Sequence, residues 1–209
     1  MTKTELVQDA PFVYVVDDDE DVRGGVTDLF RSVGLNVKNY PSTRDFLADS
    51  LPDRPSCLVL DVRLPGESGL EFQSRLNATG TRLPIIFISG HADVPMSVQA
   101  MKSGAVDFLP KPFREQELLD AVSGALRVDA QRRREERDLD ELRQLAAQLT
   151  PREVEVLKAV DRGLLNKQIA FEMGIAEITV KMHRSSAFRK LKARSVADMI
   201  QKVRRLALK

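Results

Sequence analysis

Acidic, hydroxyl and lysine side chains follow the apolar segments in the first half of the sequence. Asp17, Asp18, Asp61, Ser89 and Lys111 each stand at the carboxyl end of such a segment. Adjacent carboxylates raise one another's pKa unless a cation neutralises them. Three converging acids therefore predict a hard divalent ion. Mg²⁺ fits best, because it takes an incomplete oxygen shell from protein and completes it with water and phosphate.

Phosphoryl transfer is the chemistry that suits this set. A carboxylate beside Mg²⁺ can attack phosphorus and form an aspartyl phosphate. A lysine and a hydroxyl group can hold the oxygens of the transferred group, since this reaction needs positioning and charge neutralisation. Each signal alone has a simpler interpretation: an acidic run often caps a helix, and Lys111 before Pro112 could be a surface lysine. The coincidence of the signals favours a site.

The apolar segments that must position these residues are typical of strands in a parallel sheet. Residues 12–16, 57–60 and 85–89 are continuous apolar runs, as expected of strands buried on both faces. Weaker runs lie at 36–40 and 106–109, and helix-period stretches separate the runs. The pattern predicts an α/β fold with a flavodoxin-like, doubly wound, five-stranded parallel sheet. In such sheets ligands bind beyond the carboxyl ends of the strands.

The rest of the sequence has no strand signal. Turn residues nearly vanish from about 113 to 149, which predicts one long helix, and residues 150–209 predict four short helices. The charged run 131–138 indicates a solvated spacer, although its apolar flanks could pair with a second copy as a short coiled coil. We expect a sheet domain at 1–124, a linker helix at 125–149 and a small all-α domain thereafter.

The formal net charge of +1 conceals two oppositely charged parts. Residues 1–124 carry 12 Lys/Arg against 19 Asp/Glu, whereas residues 150–209 carry 14 against 6. A basic helical domain favours nucleic acid as a partner. The single cysteine excludes a disulfide framework and a cysteine-rich zinc site. No apolar run approaches the ~18 residues of a membrane span, so we expect a cytoplasmic protein with no membrane partner.

Three segments resemble the receiver domain of bacterial two-component response regulators, above all the FixJ-like members. They are VVDDDEDVR, LVLDVRLPGESG and ISGHADVPMSVQAMKSGAVDFLPKPF, and the resemblance covers nearly all of residues 11–124. It implies that Asp61 is the phosphoacceptor of a sensor histidine kinase. The implied Mg²⁺ ligands are three carboxylates and one main-chain carbonyl oxygen, those of Asp17, Asp18, Asp61 and Arg63.

The same resemblance implies roles for residues around the phosphoacceptor. The residues that would bind or report the phosphoryl group are Ser89, Lys111 and Phe108. Phe108 lacks a phenol oxygen, so it could report through packing but not through a hydrogen bond. The residues that would tune dephosphorylation are Arg63 and His91, either of which could instead be a surface charge.

Residues 149–200 resemble the helix-turn-helix domain of the LuxR/NarL/FixJ transcription factors. The resemblance implies a recognition helix from Glu177 to Leu191 that reads base edges through Lys181, Met182 and Ser185. Ile178 and Met182 are candidates for thymine methyl contacts, and Lys181 for guanine. Implied backbone-phosphate contacts are Asn166, Lys167, Thr179, His183, Arg184 and Lys190. His183 could instead be a boundary residue of the helical core.

Together the two resemblances imply a response regulator that forms a homodimer on phosphorylation. It would bind promoter DNA and regulate transcription, more often as an activator, with RNA polymerase as a further partner. One alternative is a constitutive DNA-binding regulator whose receiver works independently of phosphorylation. Another is a phosphatase, which would need a general acid where Arg63 stands. We therefore expect no enzyme, apart from the receiver's own phosphotransfer and slow dephosphorylation.

Overall fold

A computed structural model describes residues 10–91 and 93–206. The chain divides into two compact units, Met1–Arg133 and Arg134–Lys209. In chain order the elements of the first unit are β1 (Phe12–Val16), α1 (Glu20–Ser32), β2 (Asn36–Tyr40), α2 (Thr43–Ala48), β3 (Ser56–Asp61), α3 (Gly69–Ala78), β4 (Ile85–Ser89), α4 (Val94–Lys102), β5 (Asp107–Pro110) and the start of α5 (Glu115–Ala146).

The first unit is a parallel sheet with helices on both faces. Its strand order is β2-β1-β3-β4-β5, and all four pairings are parallel. Alternate strand residues pack against α1 and α5 on one face and against α2, α3 and α4 on the other. The doubly wound, flavodoxin-like prediction is confirmed, and the order reverses between β1 and β3, where such folds bind ligands.

Helix α5 continues beyond the sheet. Its first turns bury Leu118 and Val122 in the core of the first unit. Farther along, Arg132 and Arg133 have side chains only 26% and 18% exposed, because they bond to acidic residues of the first unit. The interpretation of 131–138 as a solvated spacer is therefore wrong for these two arginines.

The second unit is all-helical. After the end of α5 it contains α6 (Pro151–Asp161), α7 (Asn166–Met173), α8 (Glu177–Lys190) and α9 (Val196–Arg205). A capping box between Thr150 and Glu153 starts α6. Buried side chains from α5 to α9, among them Leu142, Leu157, Ile169, Val180 and Met199, form one core.

The connection from α7 to α8 is the turn of the helix-turn-helix. It passes through Gly174, whose φ of 63° lies in the left-handed region that favours glycine. Asparagine is a common N-cap residue, but Asn166 is the first helical residue of α7, and Leu165 occupies the N-cap position. None of the helices in residues 10–91 and 93–206 combines the length and the apolar composition that spanning a bilayer requires.

Candidate functional site

Three carboxylates meet beyond the carboxyl ends of β1 and β3. One ligand oxygen from each of Asp17, Asp18 and Asp61 lies within 4.8 Å of the other two. Asp17 and Asp61 are buried, whereas Asp18 is exposed. The neighbouring Asp19 caps α1 by accepting from the N–H groups of Asp21 and Val22, so the simple capping interpretation holds for that residue alone. Converging oxygens with one open side suit a hard cation that keeps part of its water shell.

Lys111 bridges two of these carboxylates. Its Nζ donates to Asp17 Oδ2 at 2.6 Å and to Asp61 Oδ2 at 2.8 Å. Burial alone would lower the pKa of Lys111, but the hydrogen bonds to both carboxylates outweigh it and raise the pKa. Burial raises the pKa of Asp17, against the lowering effect of its bond to Lys111. One lysine that bonds to two of the three acids leaves excess negative charge, which a bound cation would offset.

Main-chain groups fix the remaining side chains around Asp61. The Arg63 N–H donates to Asp61 Oδ1 at 3.1 Å, and the His91 N–H donates to Ser89 Oγ at 3.3 Å. The Lys111 N–H donates to the carbonyl oxygen of Ser89 at 2.7 Å. Ser89 is fully buried, while the side chains of Arg63 and His91 are exposed. The hydroxyl and the lysine are thus held by adjacent strands.

Phe108 lies on β5 one strand away from Ser89. It is half-buried, and its ring centroid is 6.2 Å from that of Phe87 on β4. The peptide bond between Lys111 and Pro112 is cis. Phe108 thus packs against Phe87 of the neighbouring strand but remains partly exposed to solvent.

Gly69 is a site residue that the sequence analysis missed. It begins α3, and a Cβ there would lie 2.4 Å from the main-chain oxygen of Asp61 and 3.0 Å from the Phe87 ring. Only glycine allows the helix to start this close to the end of β3. A glycine in a loop-to-helix junction carries no chemical signature, so only the distance to Asp61 identifies it.

A groove of about 530 Å³ lies beside the acidic site, between α1 and the segment that follows β5. Its lining is largely apolar and includes Val22, Leu29 and Phe113, with Lys111 at the acidic site. Gly25, an unexpected residue inside a helix, also lines the groove, and no atom lies within 4 Å of a Cβ built there. The missing side chain therefore leaves this surface open.

The exposed side of α8 carries the predicted base-reading residues. Ile178 and Met182 are 65% and 66% exposed, which is unusual for large apolar side chains. Lys181 and Ser185 are also exposed, whereas Val180 on the same helix is fully buried. The helix thus has a buried back and a front of mixed apolar, hydroxyl and basic groups, as a major-groove helix requires.

The residues predicted to contact phosphate differ in their exposure and in whether they bond to another side chain. Lys167 is exposed, and Thr179 and His183 are half-buried. Arg184 donates to the side-chain oxygen of Asn166, which joins two of the candidates to each other. Asn166 and Lys167 lie on α7, and Thr179, His183 and Arg184 lie on α8.

Lys190 is held by an acidic residue inside the second unit. Its Nζ donates to Glu153 Oε1 at 2.9 Å and to Oε2 at 2.7 Å, and Glu153 is only 3% exposed. Burial would raise the pKa of Glu153, but the hydrogen bonds from Lys190, from the Thr150 N–H and from Ser186 lower it to about 2. This pair ties the last turn of α8 to the first turn of α6.

Two family matches account for most of the chain. Residues 13–123 match the response regulator receiver domain, and residues 147–203 match the bacterial regulatory proteins of the luxR family. The chain belongs to the NarL/FixJ family of response regulators.

Similar proteins agree over nearly the full length. Nodulation protein W of Bradyrhizobium diazoefficiens is 54% identical over 189 residues, which are 90% of this chain and 83% of that protein. The response regulator TodT of Pseudomonas putida is 47% identical over 197 residues, 94% of this chain and 87% of TodT. The solved structure of the response regulator StyR has 49% identity and a TM-score of 0.83, covering 93% of this chain and 98% of StyR.

This response regulator is a two-component transcriptional regulator and not an enzyme. Its receiver implies a kinase partner, and its helix-turn-helix domain implies DNA. The receiver carries the acidic pocket of its family in Asp17, Asp18 and Asp61. The segment between residues 123 and 147 lies outside both family matches.

Proposed function

We propose that residues 1–124 form a receiver phosphorylated on Asp61 by a sensor histidine kinase, and that residues 125–149 link it to a DNA-binding domain at 150–209. The observation that carries this proposal is the convergence of three carboxylates with a bridging lysine beside the end of β3. The oxygen-rich donor set fits Mg²⁺. Its ligands would be the carboxylates of Asp17, Asp18 and Asp61 and the carbonyl oxygen of Arg63. When bound, the ion would neutralise the charge of the acids and of the phosphoryl group.

The transfer itself would use Asp61 as the nucleophile. A carboxylate oxygen of Asp61 forms the new bond to phosphorus as the bond from phosphorus to the kinase histidine breaks, and the imidazole leaves. Lys111, already bonded to Asp61, would move its ammonium onto a phosphoryl oxygen, and the Ser89 hydroxyl would donate to another. Phe108 would then pack farther inward, while Arg63 and His91 at the exposed rim would tune dephosphorylation.

The open groove beside the acidic site is a suitable surface for the kinase. A donor histidine must bring its ring to Asp61, so the element that carries it must lie next to the site. The groove between α1 and the segment after β5 meets this condition, because Lys111 borders both the groove and the acids. We therefore expect an amphipathic helix of the kinase to dock here through apolar contacts.

Phosphorylation would favour a receiver homodimer by shifting two pre-existing states. A dimer would read two DNA half-sites one helical turn apart, ~34–36 Å. Base contacts would come from Ile178, Lys181, Met182 and Ser185. Phosphate contacts would come from Asn166, Lys167, Thr179, His183 and Arg184. We retain Lys190 near the backbone, but expect its bond to Glu153 to orient α8 rather than to neutralise phosphate.

A regulator bound at a promoter acts through transcription initiation, so we propose RNA polymerase as a further partner and activation as the main outcome. Because the protein would bind bacterial promoter DNA, we also propose that it is located in the cytoplasm. These assignments follow from the DNA-binding role and stand or fall with it.

The decisive experiment compares DNA affinity before and after treatment with acetyl phosphate and Mg²⁺. We expect wild type to gain at least about tenfold, or ~1.4 kcal/mol, and Asp61→Asn to gain nothing. Asp28→Asn is the matched control, because Asp28 is an exposed aspartate of the same unit, and it should behave as wild type. Equal affinity of wild type and Asp61→Asn after treatment would contradict the proposal and favour the constitutive regulator.

A further inference from the structure

Asp129 is a fully buried carboxylate in a segment that neither family match covers. It lies on α5, beyond residue 123 where the receiver match ends and before residue 147 where the second match begins. Its side chain is 0% exposed. A buried carboxylate is costly unless it is paired and hydrogen-bonded, so its presence here requires an explanation.

The partners of Asp129 come from its own helix and from the sheet. Arg132 donates to Oδ1 through Nη2 at 2.6 Å and through Nε at 3.2 Å, and Arg133 Nε donates to Oδ2 at 2.6 Å. The main-chain N–H of Ser56, the first residue of β3, donates to the same Oδ2 at 2.9 Å. Arg133 also reaches Asp53 through Nη1 at 2.5 Å.

The ordinary explanation for such a cluster is a set of ion pairs along one helix. That explanation covers the contacts of Asp129 with Arg132 and Arg133, which are three and four residues away. It does not cover Ser56, which is 73 residues earlier, or the bond of Arg133 to Asp53, which is 80 residues earlier. The carboxylate therefore connects two separate parts of the chain.

We propose that Asp129 is a clamp that holds the linker helix to the amino end of β3. The clamp extends the receiver's hold on α5 from Leu126, the last apolar contact, to Arg133. The strand that it holds is the one whose other end carries Asp61. The linker therefore leaves the receiver at Arg133, and the clamp sets the point from which α5 transmits the phosphorylation signal. The regulatory half of this proposal rests on the proposed function, whereas the clamp itself does not.

Hydrogen exchange on the full chain tests the clamp. In Asp129→Asn the carboxylate charge is lost and one oxygen becomes an amide donor facing the arginines, so α5 should open locally. We expect amides from residue 127 to residue 136 to exchange about tenfold faster than in wild type. Asp120→Asn is the matched control: it makes the same substitution at an exposed position of the same helix, and it should leave this exchange unchanged.

A second variant keeps the test decisive if Asp129→Asn does not fold. Arg133→Gln leaves the bonds of Asp129 to Ser56 and Arg132 in place and removes the link to Asp53. It should give faster exchange over the same residues, by a smaller factor. Exchange equal to wild type in whichever variant folds would overturn the clamp, as would an equal acceleration in Asp120→Asn.

The regulatory half is tested on the same protein. Asp129→Asn should take up phosphoryl groups from acetyl phosphate as wild type does, because Asp129 lies at the opposite end of β3 from Asp61. Its gain in DNA affinity on phosphorylation should fall about fivefold or more. An undiminished gain would overturn the regulatory role. If wild type itself showed no gain, the proposed function would fail, while the exchange result would still decide the clamp.

Discussion

The two ends of strand β3 both carry buried carboxylates, but they balance charge differently. At the carboxyl end, Asp61 and Asp17 share one lysine, and Asp18 adds a third acid. At the amino end, the two oxygens of Asp129 together accept from two arginines and a main-chain N–H, and one of these arginines, Arg133, also bonds to Asp53. The first cluster has more negative than positive groups, whereas the second has its acid fully paired.

This difference distinguishes a site that binds a ligand from a site that holds two parts of the chain together. An under-neutralised cluster is destabilising by itself and becomes favourable when a cation or a phosphoryl group arrives. A carboxylate with both oxygens bonded offers little to a ligand, and neutralising it removes the shared anion to which Arg132, Arg133 and the Ser56 N–H donate. Burial and residue type are alike at the two ends, so it is the count of opposite charges that indicates function.

The largest test of this contrast neutralises one acid at each end. Asp129→Asn should lower the free energy of unfolding by about 3 kcal/mol, the usual loss when one partner of a buried ion pair is removed. Asp61→Asn should keep or raise that free energy by up to about 1 kcal/mol, because it relieves repulsion while Lys111 retains Asp17. Urea unfolding of the full-length variants without Mg²⁺, followed by circular dichroism, measures both values.

The control for this pair is again Asp120→Asn, which should unfold as wild type. A loss of stability in Asp61→Asn as large as that in Asp129→Asn would show that the two ends do not differ in charge balance.

Glu153 extends the comparison to the second unit, where it is another paired acid. Its folded pKa is about 2, against 4.5 for an ordinary glutamate. A lowered folded pKa gives stability that is fully present above 4.5 and is lost as the pH falls towards 2. We expect Glu153→Gln to lose no more than about 3 kcal/mol at pH 7, and the difference from wild type to shrink between pH 4.5 and pH 2.

Urea unfolding at pH 7, 4 and 3 measures this difference. Glu155→Gln is the matched control, since Glu155 lies exposed on the same helix, and it should show little loss at any pH. A difference between wild type and Glu153→Gln that stays constant from pH 7 to pH 3 would show that the Lys190 pair is not the source of the stability.

The acidic site at the carboxyl end of β3 could be predicted from the sequence. The pairing of Asp129 and of Glu153 could not, for a physical reason. Continuous apolar runs predict buried parallel strands, and the carboxyl ends of such strands meet at one edge of the sheet. The positions of Asp17, Asp61 and Lys111 at strand ends therefore predict that they lie close together. The long-range partners of Asp129 and Glu153 follow no such rule, unlike Arg132 and Arg133, which are three and four residues from Asp129. Ser56 meets Asp129 across 73 residues, and Lys190 meets Glu153 across 37.

The same limit explains the wrong interpretation of two arginines and the contacts that the sequence analysis missed. Arg132 and Arg133 lie in a charged run, which predicts side chains exposed to solvent. The sequence does not show that Asp129 beside them is buried and bonds to both. Lys190 stays a predicted phosphate contact, but its bond to Glu153 has no signal in the sequence, because Glu153 lies on another helix. Gly69 depends on a single short distance to the main chain of Asp61. Periodicity reports which face is buried, but not which charges meet there.

The smallest test asks which acidic site responds to a cation. Mg²⁺ at about ten times its Kd should stabilise wild type by about 1.4 kcal/mol, because binding to the folded state alone adds RT ln(1 + [L]/Kd). Asp61→Asn should lose most of this response, since it removes one of three converging ligands. Asp129→Asn, though less stable, should keep the full response, because the carboxylate that it replaces already has partners for both oxygens.

Thermal unfolding with and without Mg²⁺ measures the response of wild type and of both variants, with Ca²⁺ as a test of ion preference. Loss of the response in Asp129→Asn would mean that the two ends of β3 are coupled through the strand, and the contrast between a site that binds and a site that holds would then be wrong.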